Sequence, residues 1–193
     1  LSLSYSVPLK DKQYLNYIKI ALVTFHPETL EKQKKKNQID IFLKSIKKFK
    51  DIFFIVTFNN ADTNGNYFLK WIKSLKKLKN FKIFSLLGSI NYLSLVKNVD
   101  FLIGNSSSGI IEAPALKTPT INIGGRQNGR IFSKSVYQTN LNERDISKMI
   151  NKIIKIKKFS FENIFYKKNT SDNVLNKITK YLKNNIKNIK KFY

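Results

Sequence analysis

The stretch DFLIGNSSSGIIEAPALKTPTINIGGRQNGR, from Asp100 to Arg130, decides the fold. Phe101, Leu102 and Ile103 form a short apolar burst that Gly104 and Asn105 end, as expected of a buried strand in a parallel sheet. Ser106, Ser107, Ser108 and Gly109 follow, then a short helix, and residues 119–123 supply the next strand. Gly124 and Gly125 let the chain turn into a loop carrying Arg126 and Arg130. Small residues allow the backbone to approach a ligand, and the N-terminus of a helix offers unpaired N–H donors and a partial positive charge, which suit a phosphate. Glu112 lies three residues past Gly109, in the first helical region, where a carboxylate can accept from a neighbouring pair of hydroxyls such as those of a ribose. One loop would then hold both ends of a nucleotide. The same serines also serve as ordinary helix caps, and on the residues alone both readings stand. Pro114 sits too deep for a first-turn proline, so it removes a backbone bond and bends the helix. Local rules are broken most often at functional or strained places.

Working outward, residues 18–25 (IKIALVTF) are nearly all apolar or β-branched and predict a central strand closed by His26 and Pro27. Thr29 caps the helix expected over 30–49, with Glu31 in its first turn and Ile39, Phe42, Ile46 and Phe49 as the buried stripe. Strands are expected at 52–57 and 81–86, and helices at 67–78, 91–96, 143–158 and from Thr170 or Ser171 to about 184. Val174, Leu175, Ile178 and Leu182 mark the apolar side of the last helix. Strands alternating with helices predict a three-layer α/β/α Rossmann-like domain on a parallel sheet. His26 is the sole histidine and stands at a strand's carboxyl end, where doubly wound folds bind ligands, although a lone histidine also serves as a plain strand-end residue.

GNSSSGIIEAP, PTINIGGRQNGR and, in the right order upstream, LVTFHPET at 22–29 together resemble the UDP-N-acetylglucosamine 2-epimerases, most closely their hydrolysing, sialic acid-type branch. The resemblance covers roughly residues 18–182. It implies the C-terminal half of a glycosyltransferase-B-type fold, with residues 1–17 a linker or tail of a missing N-terminal domain and 18–193 the UDP-binding domain. It further implies that Ser106, Ser107 and Gly109 hold the diphosphate with Ser108 and Arg130 in the same site. Glu112 takes the ribose, Arg126 meets charge on the leaving phosphate, and His26 stands beside it. The acid/base carboxylates that move the sugar's C2 proton belong to the missing half. In the intact enzyme the C2 proton is removed as UDP departs, leaving a glycal; hydrolysing members add water to release N-acetylmannosamine or a related sugar, and non-hydrolysing members return UDP and release the epimerised nucleotide sugar. No metal or other cofactor is implied. The polar turn at 59–65 (NNADTNG) resembles the family's NAD loop, and Tyr92 lies where the chain approaches the uracil, to stack or to pack the core. Two departures stand out: Gly125 replaces a different residue, and 165–172 (FYKKNTSD) replaces a glycine-containing NPYG-like segment. The nearest enzyme alternative is a fragment of a UDP-sugar glycosyltransferase of the same fold, which would need Mg²⁺.

Composition bounds the remaining classes. A chain of 193 residues with 42% hydrophobic content suffices for one sizeable core. It lacks an initiator Met, which suggests a start inside a longer polypeptide, and it carries neither a secretory signal nor an eighteen-residue apolar run. The absence of cysteine excludes a disulfide framework and fits the cytoplasm. A net charge of +24 raises nucleic acid or an anionic membrane as partners. The excess is nearly all Lys, accompanied by Asn, Ile, Phe and Tyr throughout, a pattern of shared codon composition rather than of a basic stripe, so neither partner is expected. Arg126, Arg130 and Arg144 are the only arginines. Two of them in one loop point to a need for the planar, bidentate guanidinium. A homo-oligomer remains compatible with all of this.

Overall fold

The computed structural model describes residues 17–27, 32–57, 72–84 and 87–183. The expected linker up to residue 16, the Thr29 cap with Glu31, the 59–65 turn and the start of the 67–78 helix lie outside them. Six strands form one sheet: β1 (Lys19–Thr24), β2 (Ile52–Thr57), β3 (Phe81–Phe84), β4 (Phe101–Gly104), β5 (Thr120–Ile123) and β6 (Val136–Thr139). Their order is β3-β2-β1-β4-β5-β6, and every neighbouring pair is parallel. The helices are α1 (Lys32–Lys47), α2 (Gly88–Asn98), α3 (Ser108–Ala115), α4 (Glu143–Ile153) and α5 (Thr170–Lys183). Residues 72–76 are also helical.

The strands read as continuous apolar runs because both sheet faces are covered. Successive side chains point to opposite faces, and the core divides accordingly. Ala21, Val23, Phe54, Val56, Phe101 and Ile103 pack with Phe42 and Ile46 of α1 and with Ile146 and Ile150 of α4. Leu22, Phe53, Ile55 and Leu102 pack instead with Leu95 and Val96 of α2 and Ala113 of α3. This is the three-layer Rossmann-like arrangement expected. Asp100 locks the sheet's centre from below: its carboxylate takes the Ile20 N–H at 2.8 Å and the Lys19 ammonium at 2.8 Å.

Two sequence expectations need correction. First, β6 is absent from the sequence reading; it is a four-residue edge strand, half of whose residues are polar. Second, α4 stops at Ile153 rather than 158. Ile153 is its last buried residue, and the chain then tightens through Lys155 N–H to Lys152 C=O, at 3.2 Å, and brings the Phe159 ring edge-on to Tyr137 of β6. The core beyond β6 ends there, so nothing rewards further helix. Pro114 lies inside α3, one residue before its last. Lys117 follows with φ of 60°, and the Thr118 N–H returns to the Ala113 carbonyl at 2.9 Å. Helix α5 is present over the expected residues with its apolar side formed, but none of its residues is buried. Val174, Leu175, Ile178 and Leu182 are 51% to 69% exposed.

Candidate functional site

In this strand order the connections leave β1 and β4 in opposite directions along the sheet, so the carboxyl ends of those two strands form the switch point at which such folds place their ligand crevice. His26 and the loop from Asn105 to Ser108 occupy those ends. Gly104 makes their approach possible: its φ is +152°, and a Cβ there would sit 1.9 Å from the Thr24 carbonyl oxygen. Only glycine fits.

Asn105 follows, fully buried. Its side chain grips the backbone of His26 from both sides, accepting the His26 N–H at Oδ1 (2.8 Å) and donating from Nδ2 to the His26 carbonyl (2.7 Å). Its own carbonyl accepts from the Arg126 guanidinium (3.1 Å) and from Gln127 Nε2 (2.7 Å). The loop after β5 is thereby drawn to the loop after β4. Sequence reasoning did not single out Asn105 or Gln127. Gln127 is a polar residue 3% exposed in a loop, and no local pattern foretells such burial.

The serines do not behave as ordinary caps. Ser107 occupies the N-cap position of α3 without a side-chain bond to the helix. Ser106 Oγ receives only a long 3.4 Å bond from the Ser108 N–H. Ser108 Oγ and Glu112 Oε2 are both buried without a hydrogen-bond partner, and their i, i+4 spacing puts them on one face of α3. Gly109 has a packing role of its own, since a Cβ there would meet Thr120 Cγ2 at 2.6 Å. Its N–H donates to the Ser106 carbonyl at 3.2 Å. Arg126 is exposed and anchored to Asn105, whereas exposed Arg130 makes no side-chain bond among the described residues. Gly124 turns the chain with φ of 73°, as its position after β5 requires.

Tyr92 settles into the hydroxyl cluster below this site. Its OH lies 3.4 Å from Thr24 Oγ1, which in turn meets Thr57 Oγ1 at 2.9 Å, and its ring packs against the α2 side of the core. The charged groups with shifted ionisation lie away from the crevice. Lys48 pairs with Glu143 and holds that carboxyl below its ordinary range, and hydrogen bonds from Asn140 and Asn142 do the same for Asp145. Among the described residues no three His, Asp or Glu side chains converge as a metal would require, and no helix is long and apolar enough to cross a membrane.

Comparison with known proteins agrees with this fold. The family model for UDP-N-acetylglucosamine 2-epimerase matches residues 5–179. The polysialic acid biosynthesis protein P7 of Escherichia coli is 37% identical over the whole chain, and the GDP/UDP-N,N'-diacetylbacillosamine 2-epimerase (hydrolyzing) of Campylobacter jejuni is 40% identical over 64% of it. The chain spans 51% and 33% of the length of those relatives. Among solved structures, the S. aureus MnaA–UDP co-structure shares the fold with a TM-score of 0.75 at 15% identity, covering 100% of this chain and 52% of that one. The Methanocaldococcus jannaschii UDP-GlcNAc 2-epimerase in complex with UDP-GlcNAc and UDP gives 0.68 at 19% identity, covering 86% and 47%. By the extent of the family match and the identity to these relatives, this chain is a member of the UDP-N-acetylglucosamine 2-epimerase family.

Proposed function

We propose that this chain is the UDP-binding, C-terminal half of a UDP-sugar 2-epimerase of the hydrolysing kind, which in its intact form converts UDP-GlcNAc and water to ManNAc and UDP in amino-sugar biosynthesis in the cytoplasm. The observation that carries this reading is the pair of buried, unpartnered oxygens, Ser108 Oγ and Glu112 Oε2, one turn apart on the helix that begins at the crevice. Buried polar atoms are nearly always hydrogen-bonded, so a carboxylate oxygen with no protein donor suits a ligand hydroxyl. Glu112 then accepts from the ribose. The diphosphate lies over the first turn of α3, against Ser106, Ser107, Ser108 and Gly109, where the positive end of the helix dipole favours an anion.

Arg126 spends one N–H on Asn105 and keeps others of its five for phosphate oxygens. It stabilises the charge that gathers on UDP as the bond from C1 to oxygen breaks, with Arg130 and His26 beside it. The proton leaves C2 in the same stage, giving a glycal. Water then adds its hydroxyl at C1 and a proton at C2 on the opposite face, giving the epimerised free sugar. The carboxylates that move these protons are assigned to the remaining half of the protein. The length of the relatives and the uncovered apolar side of α5 support such a partner.

The test is a titration of UDP into the chain at near-physiological salt, with single-stranded DNA in parallel. Saturable UDP binding that Glu112→Ala weakens roughly 10- to 100-fold is expected, the worth of hydroxyl donors to a carboxylate. DNA binding without UDP binding, or equal UDP affinity in parent and variant, refutes the assignment.

A further inference from the structure

Asn105 is bonded to more of the crevice than any residue named for ligand contact. Through its side chain it fixes the backbone of His26, and through its carbonyl it fixes Arg126 and Gln127. Its N–H reaches back to the Thr24 carbonyl at 3.2 Å. One buried residue thus joins the loops after β1, β4 and β5, directly before Ser106. Gln127 braces the junction: its amide is buried, with Nε2 on Asn105 and Oε1 unpartnered.

We propose that Asn105 is the positioning residue of this site, setting His26 and Arg126 on the two flanks of the Ser106–Ser108 loop without itself touching the nucleotide. The inference rests on the reading of the crevice as a UDP site. The chemistry requires an amide. His26 presents one donor and one acceptor, and a single side chain must answer both at the same distance. An ionised aspartate has only acceptors and would set its charge against the His26 carbonyl; a leucine has neither function. Gly104 belongs to the same device, because without its bare Cα the chain could not bring Asn105 down onto Thr24 and His26.

A residue that acts only through two others has no effect once those two are gone. The experiment is therefore a mutant cycle on UDP affinity, read by titration of the full chain. Asn105→Ser, which is neutral but too short to span both His26 groups, is expected to weaken UDP about tenfold, the coupling of a typical buried polar network. In a His26→Ala/Arg126→Ala background the same change is expected to cost less than about twofold. Losses that simply add overturn the inference while leaving the UDP reading intact. A parent chain that binds no UDP overturns both. Should Asn105→Ser fail to fold, amide exchange of the parent serves: the His26 N–H is expected to be protected with β1. A His26 amide that exchanges freely while β1 is protected overturns the clamp.

Discussion

Gly104→Ala is expected to be among the most damaging single-methyl additions in the chain. Its φ of +152° lies in a region that only glycine occupies readily, at a cost of about 1–3 kcal/mol for a side chain. The added Cβ would stand 1.9 Å from the Thr24 carbonyl oxygen and 2.6 Å from its carbon, and both are backbone atoms of the central strand that cannot swing away. Relief requires β4 to draw back from β1. That separates the Asn105 N–H from Thr24 and strains both bonds between Asn105 and His26, at a net of about 1 kcal/mol each. The sum is about 4 kcal/mol or more, a large share of the stability of a typical domain. With a urea slope of about 2 kcal/mol per molar, the unfolding midpoint should fall by roughly 2 M. Gly129→Ala is the control: its φ is +83° but nothing lies within 4 Å of the added carbon, so it should lose only about 1 kcal/mol. The reasoning fails if the two variants unfold within about 0.5 kcal/mol of each other, the scatter of ordinary surface changes.

Other consequences are as direct. Asn142 caps α4 by accepting the Asp145 N–H at 2.8 Å, so Asn142→Ala should cost about 1 kcal/mol in chemical denaturation. Asn140 and Asn142 also donate to Asp145 and lower its carboxyl's affinity for protons. A folded pKa below the unfolded one stabilises above the ordinary carboxylate range and is lost as pH falls through the folded value. The deficit of Asn142→Ala should therefore shrink in acid, and a deficit that grows there contradicts the account. On α5, a Leu175→Gln/Ile178→Gln chain should keep its own denaturation midpoint, since both side chains are exposed here. By contrast, Ile150→Ala in the core should lose about 2–5 kcal/mol. If this chain is one half of a two-domain enzyme as proposed, the same α5 variant should fail to associate with the other half when that half is supplied; unchanged association refutes the assignment of this face.

Fold and site were legible to different depths. The apolar runs of β1, β2 and β4 announce a doubly covered sheet, because a parallel strand buried on both faces has no polar side to alternate with. Periodicity likewise marks α1 and α5, and Asn142 marks the start of α4 by its capping chemistry. The end of α4 and the short strand β6 were not legible. Both depend on where the sheet's edge lies, which is a property of the assembled layers and not of the local residues.

At the site, the chemistry on offer is written in the local residues: a serine-rich turn before a helix, a carboxylate one turn in, two arginines in an otherwise lysine-rich chain, and a lone histidine at a strand's end. How they meet depends on the assembled sheet. Residues 79 positions apart, His26 and Asn105, become bonded neighbours because β1 and β4 lie side by side, and Gln127, unremarkable in the chain, becomes a buried brace. Local composition can specify what a residue is able to bond. Which partner it finds is set by strand order, and strand order emerges from packing two hydrophobic faces of one sheet at once.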